Sequence, residues 1–197
     1  DGERTMATHT GIGSQLHPDE LTEDSLQGID HIYMESYLWD HDFTKQTLKK
    51  VGKISKVMNI ETSLSLSDPF CVDRHRDELK EFIEEYVDLV FCNFDEAKMF
   101  AQSETMADIS SFFQSFGKKI AMTASAEGAY YFHGEIVAHQ PAQKIEQVID
   151  TTGAGDNFAA GFLDQYLSDK TIDEALAQGN ARAGEVIQQL GPRIKRH

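Results

Sequence analysis

The stretch at residues 149–162, IDTTGAGDNFAAGF, combines residue types that could bind an anion and move a proton. Gly153 and Gly155 flank Ala154, Asp156 follows at once, and the small and apolar residues after it are typical of a helix start. Backbone N–H groups at a helix N-terminus attract negative charge, and glycines leave the approach open. A carboxylate beside a bound phosphate would be repelled as a ligand, but it can act as a base toward an attacking hydroxyl.

Two better-known glycine motifs do not fit this stretch. The dinucleotide fingerprint G-x-G-x-x-G would need a third glycine where the chain has Phe158. A Walker A loop would need a Gly-Lys-Ser/Thr run, and the sequence contains none. On spacing alone, two interpretations therefore stay open: an anion site with Asp156 as base, or a glycine-rich loop whose aspartate only stabilises the helix dipole.

Two other polar clusters have a simpler structural interpretation. Asn93 and Glu96 in NFDEAKMF (93–100) have the spacing of a capping box, and the spacing alone favours that interpretation. The run DRHRDE (73–78) is typical of the polar start of a helix rather than of a metal site. The eight histidines show no zinc-ligand spacing.

Composition narrows the class of protein. The chain has 197 residues, 40% of them hydrophobic, which predicts one substantial core and a single domain over residues 1–197. With 18 basic and 33 acidic side chains the formal charge is −15, which argues against nucleic-acid binding. Cys71 and Cys92 are the only cysteines and indicate reduced thiols in a cytoplasmic protein. No apolar run approaches the roughly 18 residues of a membrane span, and residues 1–4 do not resemble a signal peptide.

Strand-like and helix-like segments alternate along the chain, and this alternation predicts an α/β fold with a mostly parallel sheet flanked by helices. The run DLVFCN is continuously apolar, as in a strand buried on both faces. In such sheets ligands bind at the carboxyl ends of the strands. The predicted strands are 3–10, 31–35, 60–67, 88–93, 119–125, 128–133 and one through KIEQVI at 144–149, with a turn at His133-Gly134. The predicted helices are 40–58 (with Phe43 on its apolar face), 72–87, one starting at 94, 107–116, 156–167 and 172–190.

The stretch DTTGAGDNFAAGF resembles the C-terminal signature of the PfkB/ribokinase family of carbohydrate and nucleoside kinases. Three further segments are similar to family motifs: DGERTM to the lid strand, NFDEAKMF to the N-x-x-E segment, and MTASAEGAYYF to the T-x-G-x-x-G-A strand pair. Within the family, YMESYLWD and LSLSDPFCVDRHRDEL are most similar to the bacterial branch usually labelled adenosine kinase. The resemblance implies a ribokinase-like fold that lacks the family's N-terminal strands and most of the lid, with residues 1–12 as a remnant of the lid strand.

The resemblance also implies roles for the residues of the opening stretch. Asp156 matches the catalytic base, and Gly153, Ala154 and Gly155 match the anion hole that holds the transferring phosphoryl group. Family members that use potassium have a cation site here. The matching positions are Asp150, the Thr152 carbonyl, and the end of the last helix near Val186, Gln189 and Gly191.

For the nucleotide, the resemblance implies ATP with Mg²⁺. Asn93 and Glu96 match the motif that organises the metal and the phosphates, largely through water, and a cap and this role are compatible. The matching nucleotide-binding positions are Thr123, Ser125, Gly128, Asn180 near the adenine, and Arg4 on the lid strand. Ser125 departs from the family, which commonly has glycine there; for Asn180 a solvated helix position, and for Arg4 an exposed strand arginine, are the simpler alternatives.

The resulting expectation is an ATP-dependent kinase that phosphorylates a hydroxyl of a nucleoside, with adenosine favoured, or of a sugar such as ribose or fructose. A catalytically inactive nucleotide-binding or interaction fragment of the same family is the alternative from another class. Family members have about 300 residues, so we expect the acceptor-gripping segments to lie outside this chain. A homodimer, or a partner chain that supplies the missing half, would restore them, and the chain alone could be inactive.

Overall fold

The computed structural model describes residues 9–133 and 136–194. Arg4 and all but the last two residues of the predicted strand 3–10 lie outside these ranges. Helices and strands alternate along the described residues, and the α/β class predicted from the sequence is confirmed. The strands are β1 (His31–Glu35), β2 (Glu61–Ser65), β3 (Leu89–Asn93), β4 (Lys119–Thr123), β5 (Ala129–His133) and β6 (Ile136–Gln140). The helices are α1 (Asp42–Met58), α2 (Pro69–Tyr86), α3 (Phe94–Ala101), α4 (Met106–Phe116), α5 (Ala154–Tyr166) and α6 (Ile172–Val186).

The described strands form one sheet in the order β1-β2-β3-β4-β5-β6. The first four strands run parallel, and β5 and β6 add antiparallel pairs at one edge. Because β1 to β4 run parallel, their carboxyl ends all lie at the same end of the sheet, and helices return the chain to the opposite end. The predicted segments Asn93–Glu96, Thr123 and the glycine loop lie at the carboxyl ends of these strands.

Two hydrophobic cores cover the two faces of the sheet. Alternate residues of β3 show the division, since Val90 packs with α1 to α4 whereas Leu89 and Phe91 pack with α5 and α6. Glycines let α5 and α6 approach closely: a Cβ on Gly179 would lie 2.7 Å from the Phe158 ring. This packing fixes the N-terminus of α5 against the end of β3.

Local sequence signals explain where the helices around the site begin. Asp68 caps α2 by accepting a hydrogen bond from the Phe70 N–H (2.8 Å), and Pro69 occupies the first helical position. Thr171 and Glu174 form a capping box at the start of α6.

One predicted strand is wrong. Residues 144–149 form no strand; the strand that pairs with β5 is β6, in which Gln140 lies opposite Ala129. Pro141 ends β6, and the chain then runs to α6, where the Ile149 N–H donates to the Ile187 carbonyl (2.8 Å). Of residues 144–149 only Ile145 is partly buried and the others are exposed, so the segment lacks the buried face of a sheet strand, and the Ile149 N–H donates to a helix end instead.

Smaller deviations concern helix ends. Phe43, predicted on the apolar face of α1, is 52% exposed in the first turn, where it packs against the His17 ring (4.8 Å between centroids). Helix α2 starts at Pro69, directly after its cap Asp68 and three residues before the predicted start. Helix α6 ends at Val186, four residues before the predicted end at Leu190. Boundary shifts of this size follow from caps that override hydrophobic periodicity.

Candidate active site

A cavity of about 240 Å³ opens at the carboxyl ends of the parallel strands, against the N-terminus of α5. Strands β1 to β4, the chain just after β1 and β2, and the loop into α5 all contribute to its wall. The lining residues are Glu35, Tyr37, Ser65, Ser67, Phe91, Cys92, Asn93, Glu96, Thr123, Thr151, Thr152, Gly153, Ala154, Gly155, Asp156 and Phe158. The structure therefore brings the glycine loop, the Asn93–Glu96 segment and Thr123 to one place.

The two glycines of the loop meet different demands. Gly153 is the N-cap of α5 with φ = 77°, and a Cβ there would lie 2.7 Å from the Pro192 side chain. A Cβ on Gly155 would meet no atom within 4 Å. Gly153 thus allows the turn, and Gly155 leaves open space in front of the first helical turn.

Not all of the predicted anion-hole amides are equally available. The Ala154 N–H donates to the Thr151 carbonyl (3.2 Å), and the first regular helical bond runs from the Asn157 N–H to the Gly153 carbonyl (2.9 Å). Among the described residues, the N–H groups of Gly155 and Asp156 have no such acceptor. These two donors lie at the positive end of the α5 dipole and line the cavity.

Asp156 lies in the first turn of α5 with its side chain exposed. Its neighbour across the cavity is Glu35, at the end of β1. Burial, and after it the charge of Asp156, raises the pKa of the Glu35 carboxyl. Two carboxylates from different elements therefore share one end of the cavity.

Asp150 organises the loop before α5. One carboxylate oxygen accepts hydrogen bonds from the Thr152 N–H (2.9 Å) and the Thr152 hydroxyl (2.6 Å), and the other accepts from the Gly191 N–H (2.9 Å). The structure thus brings together Asp150, Thr152 and Gly191, three of the positions that the resemblance assigns to a cation site, and Val186 is buried at the end of α6. In residues 9–133 and 136–194, no three His, Cys, Asp or Glu side chains are grouped so that they could hold a metal ion.

Asn93 and Glu96 form the capping box that the spacing predicted. The Glu96 carboxylate accepts from the Asn93 N–H (2.9 Å) and the Asn93 side-chain amide (2.7 Å), while the Glu96 N–H donates to the Asn93 amide oxygen (2.8 Å). Glu96 is only 4% exposed, and burial raises the pKa of its carboxyl to about 7, with the nearby charges of Asp68 and Asp95 adding to the effect. Both capping residues also line the cavity, so the cap holds Glu96 at its wall.

The remaining predicted nucleotide residues form a second group beside the cavity. Ser125 has φ = 49°, a left-handed conformation that favours the glycine common in the family. Gly128 has φ = 97°, and a Cβ there would lie 2.1 Å from the Gln140 carbonyl oxygen. Asn180 is 9% exposed, and its side-chain amide donates to the carbonyls of Gln140 (2.9 Å) and Pro141 (3.3 Å). The solvated position considered for Asn180 is wrong, because this side chain fastens the loop that packs on Gly128.

The chain matches a known protein family over almost its whole length. A model described as the pfkB family of carbohydrate kinases matches residues 1–196. The chain belongs to this family. The crystal structure of adenosine kinase from Sinorhizobium meliloti is similar with a TM-score of 0.88 and 37% identity, over 91% of this chain and 55% of that one.

The curated relatives of this chain are named for different substrates. Cytidine kinase of Thermococcus kodakarensis is 32% identical over 120 residues, 60% of this chain and 43% of the relative. The 2-dehydro-3-deoxygluconokinase of Haemophilus influenzae is 31% identical over 112 residues, 53% of this chain and 34% of the relative. The pfkB chain spans about half the length of these proteins or less. Its described helices are all too short or too polar to cross a lipid bilayer.

Sequence reasoning missed several polar residues of the cavity, among them Glu35, Tyr37, Ser65 and Ser67, which lie at or just after the ends of β1 and β2. The Tyr37 hydroxyl donates to the Ser67 carbonyl (3.0 Å), and Ser67 has φ = 64°. The rule that ligands bind at the carboxyl ends of parallel strands could have found them, since the strands themselves were predicted.

Proposed function

We propose that this chain carries the phosphoryl-transfer half of an ATP-dependent kinase that phosphorylates a hydroxyl of a nucleoside, with adenosine favoured, or of a sugar. One observation carries the proposal: Asp156, the open N-terminus of α5 and the buried Glu96 line a single cavity. A base, an anion hole and an acidic group for the metal are the parts that phosphoryl transfer needs in one place.

The anion end of the reaction is assigned to the first turn of α5. The N–H groups of Gly155 and Asp156 point their dipoles at the cavity, and the missing Cβ of Gly155 leaves room for a phosphoryl group. Fixed donors stabilise the charge of a transition state more than mobile water does, because they need no reorganisation. Asp156 then takes the proton of the acceptor hydroxyl.

The donor set fits ATP with Mg²⁺ if the metal is held through water. Each oxygen of Glu96 already accepts a hydrogen bond from Asn93, which fixes the carboxylate, and a metal held through water leaves this cap of α3 undisturbed. Mg²⁺ commonly keeps several of its waters, and a carboxylate can orient them. When bound, Mg²⁺ neutralises phosphate charge; Glu96, Asn93 and Thr123 are the residues that would face it. For potassium, we propose Asp150 and the Thr152 carbonyl, close to Gly191.

Adenosine is favoured as acceptor because the similar solved structure at 37% identity is an adenosine kinase. Ribose and fructose are the nearest alternatives. The relatives of this chain are about twice as long. We therefore propose that contacts to the acceptor beyond those of this chain come from further polypeptide or from a partner chain. We also propose that the kinase acts in the cytoplasm, where ATP and reduced cysteines such as buried Cys71 and Cys92 occur together.

An acceptor panel tests this proposal. The protein is incubated with ATP, Mg²⁺ and K⁺ and with adenosine, cytidine, ribose or fructose, and the phosphorylated product is measured for wild type, Asp156→Asn and the control Asp164→Asn on the same helix. We expect turnover with a nucleoside, a loss of about 10²–10⁴-fold in Asp156→Asn with ATP binding kept, and no loss in Asp164→Asn. ATP binding without any acceptor turnover would instead favour the nucleotide-binding fragment, and absence of ATP binding would contradict both.

A further inference from the structure

Two chemically different groups of residues line the cavity. One group is the N-terminus of α5 with its free N–H groups, which favour negative charge. The other group is Glu35, Tyr37, Ser65 and Ser67, from β1, β2 and the chain that follows them. We call this second group of hydroxyls and carboxylate the acceptor end.

The charges around the acceptor end are all of one sign. The described lining of the cavity contains the carboxyl groups of Glu35, Glu96 and Asp156 and no Lys, Arg or His. Asp68 lies close enough for its charge to act on both Tyr37 and Glu96. Above pH 7, where the Glu96 carboxyl is mostly ionised, a ligand group with a negative charge would therefore meet like charges in a partly buried site, where water screens them less than at an open surface.

The hydroxyls of the acceptor end are held in place. Ser67 Oγ donates to the Ser65 carbonyl (3.1 Å) and accepts from the Ser36 N–H (3.2 Å), while Tyr37 donates its proton to the Ser67 carbonyl (3.0 Å). The Tyr37 oxygen and the Glu35 carboxyl remain as acceptors for hydroxyl protons of a ligand. A neutral polyhydroxyl ligand can satisfy such groups, and a site built to hydrogen-bond hydroxyls rejects ligands that leave them unpaired.

We propose that the acceptor end is a charge filter, with Glu35 as its determining residue: it admits uncharged sugars and nucleosides and excludes acceptors that carry a carboxylate or phosphate. This inference rests on the proposed function and narrows its substrate class. Among the similar proteins it groups this chain with the kinases named for neutral nucleosides rather than with the one named for 2-dehydro-3-deoxygluconate, an acid.

The test compares matched pairs of acceptors that differ in one carboxylate. Uridine is compared with orotidine, and fructose with 2-dehydrogluconate, by calorimetry on the 197-residue protein with Mg²⁺ and a non-hydrolysable ATP analogue. In wild type we expect the neutral member of a pair to bind at least tenfold more tightly. In Glu35→Gln we expect the difference to fall below about threefold, because the acid binds more tightly.

Two variants control for other effects. Glu84→Gln removes the same charge from an exposed position of α2 and should leave the difference unchanged. Glu35→Asp keeps the charge and should keep the filter, which guards against a Glu35→Gln variant that fails to fold. Equal or tighter binding of the acids in wild type, an unchanged difference in a folded Glu35→Gln protein, loss of the filter in Glu35→Asp, or no binding of any acceptor would each overturn the proposal.

The charge filter can fail this test while the proposed kinase function holds, and the kinase function can fail while the filter holds. Binding of neutral acceptors without Asp156-dependent phosphorylation would contradict the kinase and leave the filter standing. Phosphorylation of acids as readily as of neutral acceptors would contradict the filter and leave the kinase standing.

Discussion

Gly153 and Gly155 are two residues apart in the chain, yet each is glycine for its own reason. Gly153 has a left-handed backbone and contacts Pro192, so its role is conformational. Gly155 has ordinary helical backbone and faces open space in the cavity, so a methyl group there would conflict only with a ligand. Gly153 is therefore expected to affect the stability of the fold, and Gly155 the binding of a ligand.

Alanine at each position should therefore give opposite results. We expect Gly153→Ala to destabilise the fold by about 1–2 kcal/mol, the cost of a left-handed non-glycine residue, with the Pro192 contact adding to it. Gly155→Ala should leave stability unchanged or raise it by about 0.5–1 kcal/mol, because alanine favours helices, while weakening the binding of MgATP about tenfold. Urea unfolding and calorimetry measure the two effects, and equal loss of stability in both variants would contradict this assignment.

At the scale of elements, one ionic cluster joins the amino ends of the strands to α5. Glu61 at the start of β2 accepts hydrogen bonds from Lys119 Nζ (2.9 Å) and the Tyr166 hydroxyl (2.6 Å). His31 Nδ1 lies 3.6 Å from the other Glu61 oxygen. His31 first, and then Tyr166 and Lys119, lower the pKa of Glu61 to about 2 against the opposing effect of burial. The cluster holds β1, β2 and β4 in register on the face that α5 covers.

This cluster predicts a loss of stability in acid. A carboxyl whose pKa is lower in the folded than in the unfolded state stabilises the fold fully above the unfolded value, about 4.5, and loses that contribution as the pH falls toward 2. Glu61→Gln should be about 1–2 kcal/mol less stable than wild type at pH 7, a figure reduced for solvent screening, and the difference should shrink steadily below pH 4.5. Urea unfolding between pH 7 and 2.5 measures it. Exposed Glu84→Gln is the control, and a difference independent of pH would contradict the role of Glu61.

The loop before α5 depends on a second set of contacts between elements. The Asn157 side-chain amide donates to the carbonyls of Gly153 (2.8 Å) and Pro192 (3.0 Å), so the segment after α6 supports the glycine turn. Asp has the shape of Asn but cannot donate to these carbonyls. We expect both Asn157→Ala and Asn157→Asp to speed hydrogen exchange at the hydrogen-bonded N–H groups of Ala154 and Asn157 at least fivefold, with global stability reduced by about 1 kcal/mol. Slow exchange in Asn157→Asp would show that shape, not donation, is what matters.

The sequence carried enough information for most elements and for the glycine loop and capping box that line the cavity. Continuous apolar runs such as Leu89–Asn93 and the cap at Asn93 act locally, so pattern and spacing reveal them. Glu35 and Ser67 join the site only because β1 and β2 lie next to β3 in the sheet, and strand order is not a local property. The strand predicted at 144–149 is wrong for a related reason, since the residue types of this segment do not say whether a sheet or a helix end accepts its hydrogen bonds.

At the scale of the whole molecule, the chain is strongly acidic and yet is proposed to bind ATP, which carries several negative charges itself. Its formal charge is −15, and the described cavity wall adds carboxylates but no basic side chain. The N–H groups and dipole of α5 favour an anion there, but they carry no full positive charge. The metal that accompanies the nucleotide must therefore offset much of the repulsion.

Removal of the metal should then abolish most of the affinity for nucleotide. We expect EDTA to raise the Kd for ATP at least tenfold, and added salt to narrow this difference, because ions screen the repulsion between the acidic protein and free ATP. Calorimetry at two salt concentrations measures both effects. Equal affinity for ATP with and without Mg²⁺ would contradict this electrostatic account.

Asp156 and the first turn of α5 are proposed to act on one phosphoryl group. The most direct measurement is the rate of transfer of labelled γ-phosphate from ATP to adenosine, at saturating MgATP, in wild type and in Asp156→Asn. The account predicts transfer in wild type and a rate about 10²–10⁴-fold lower in the variant, with MgATP bound equally by both. Transfer at an undiminished rate in Asp156→Asn would contradict it.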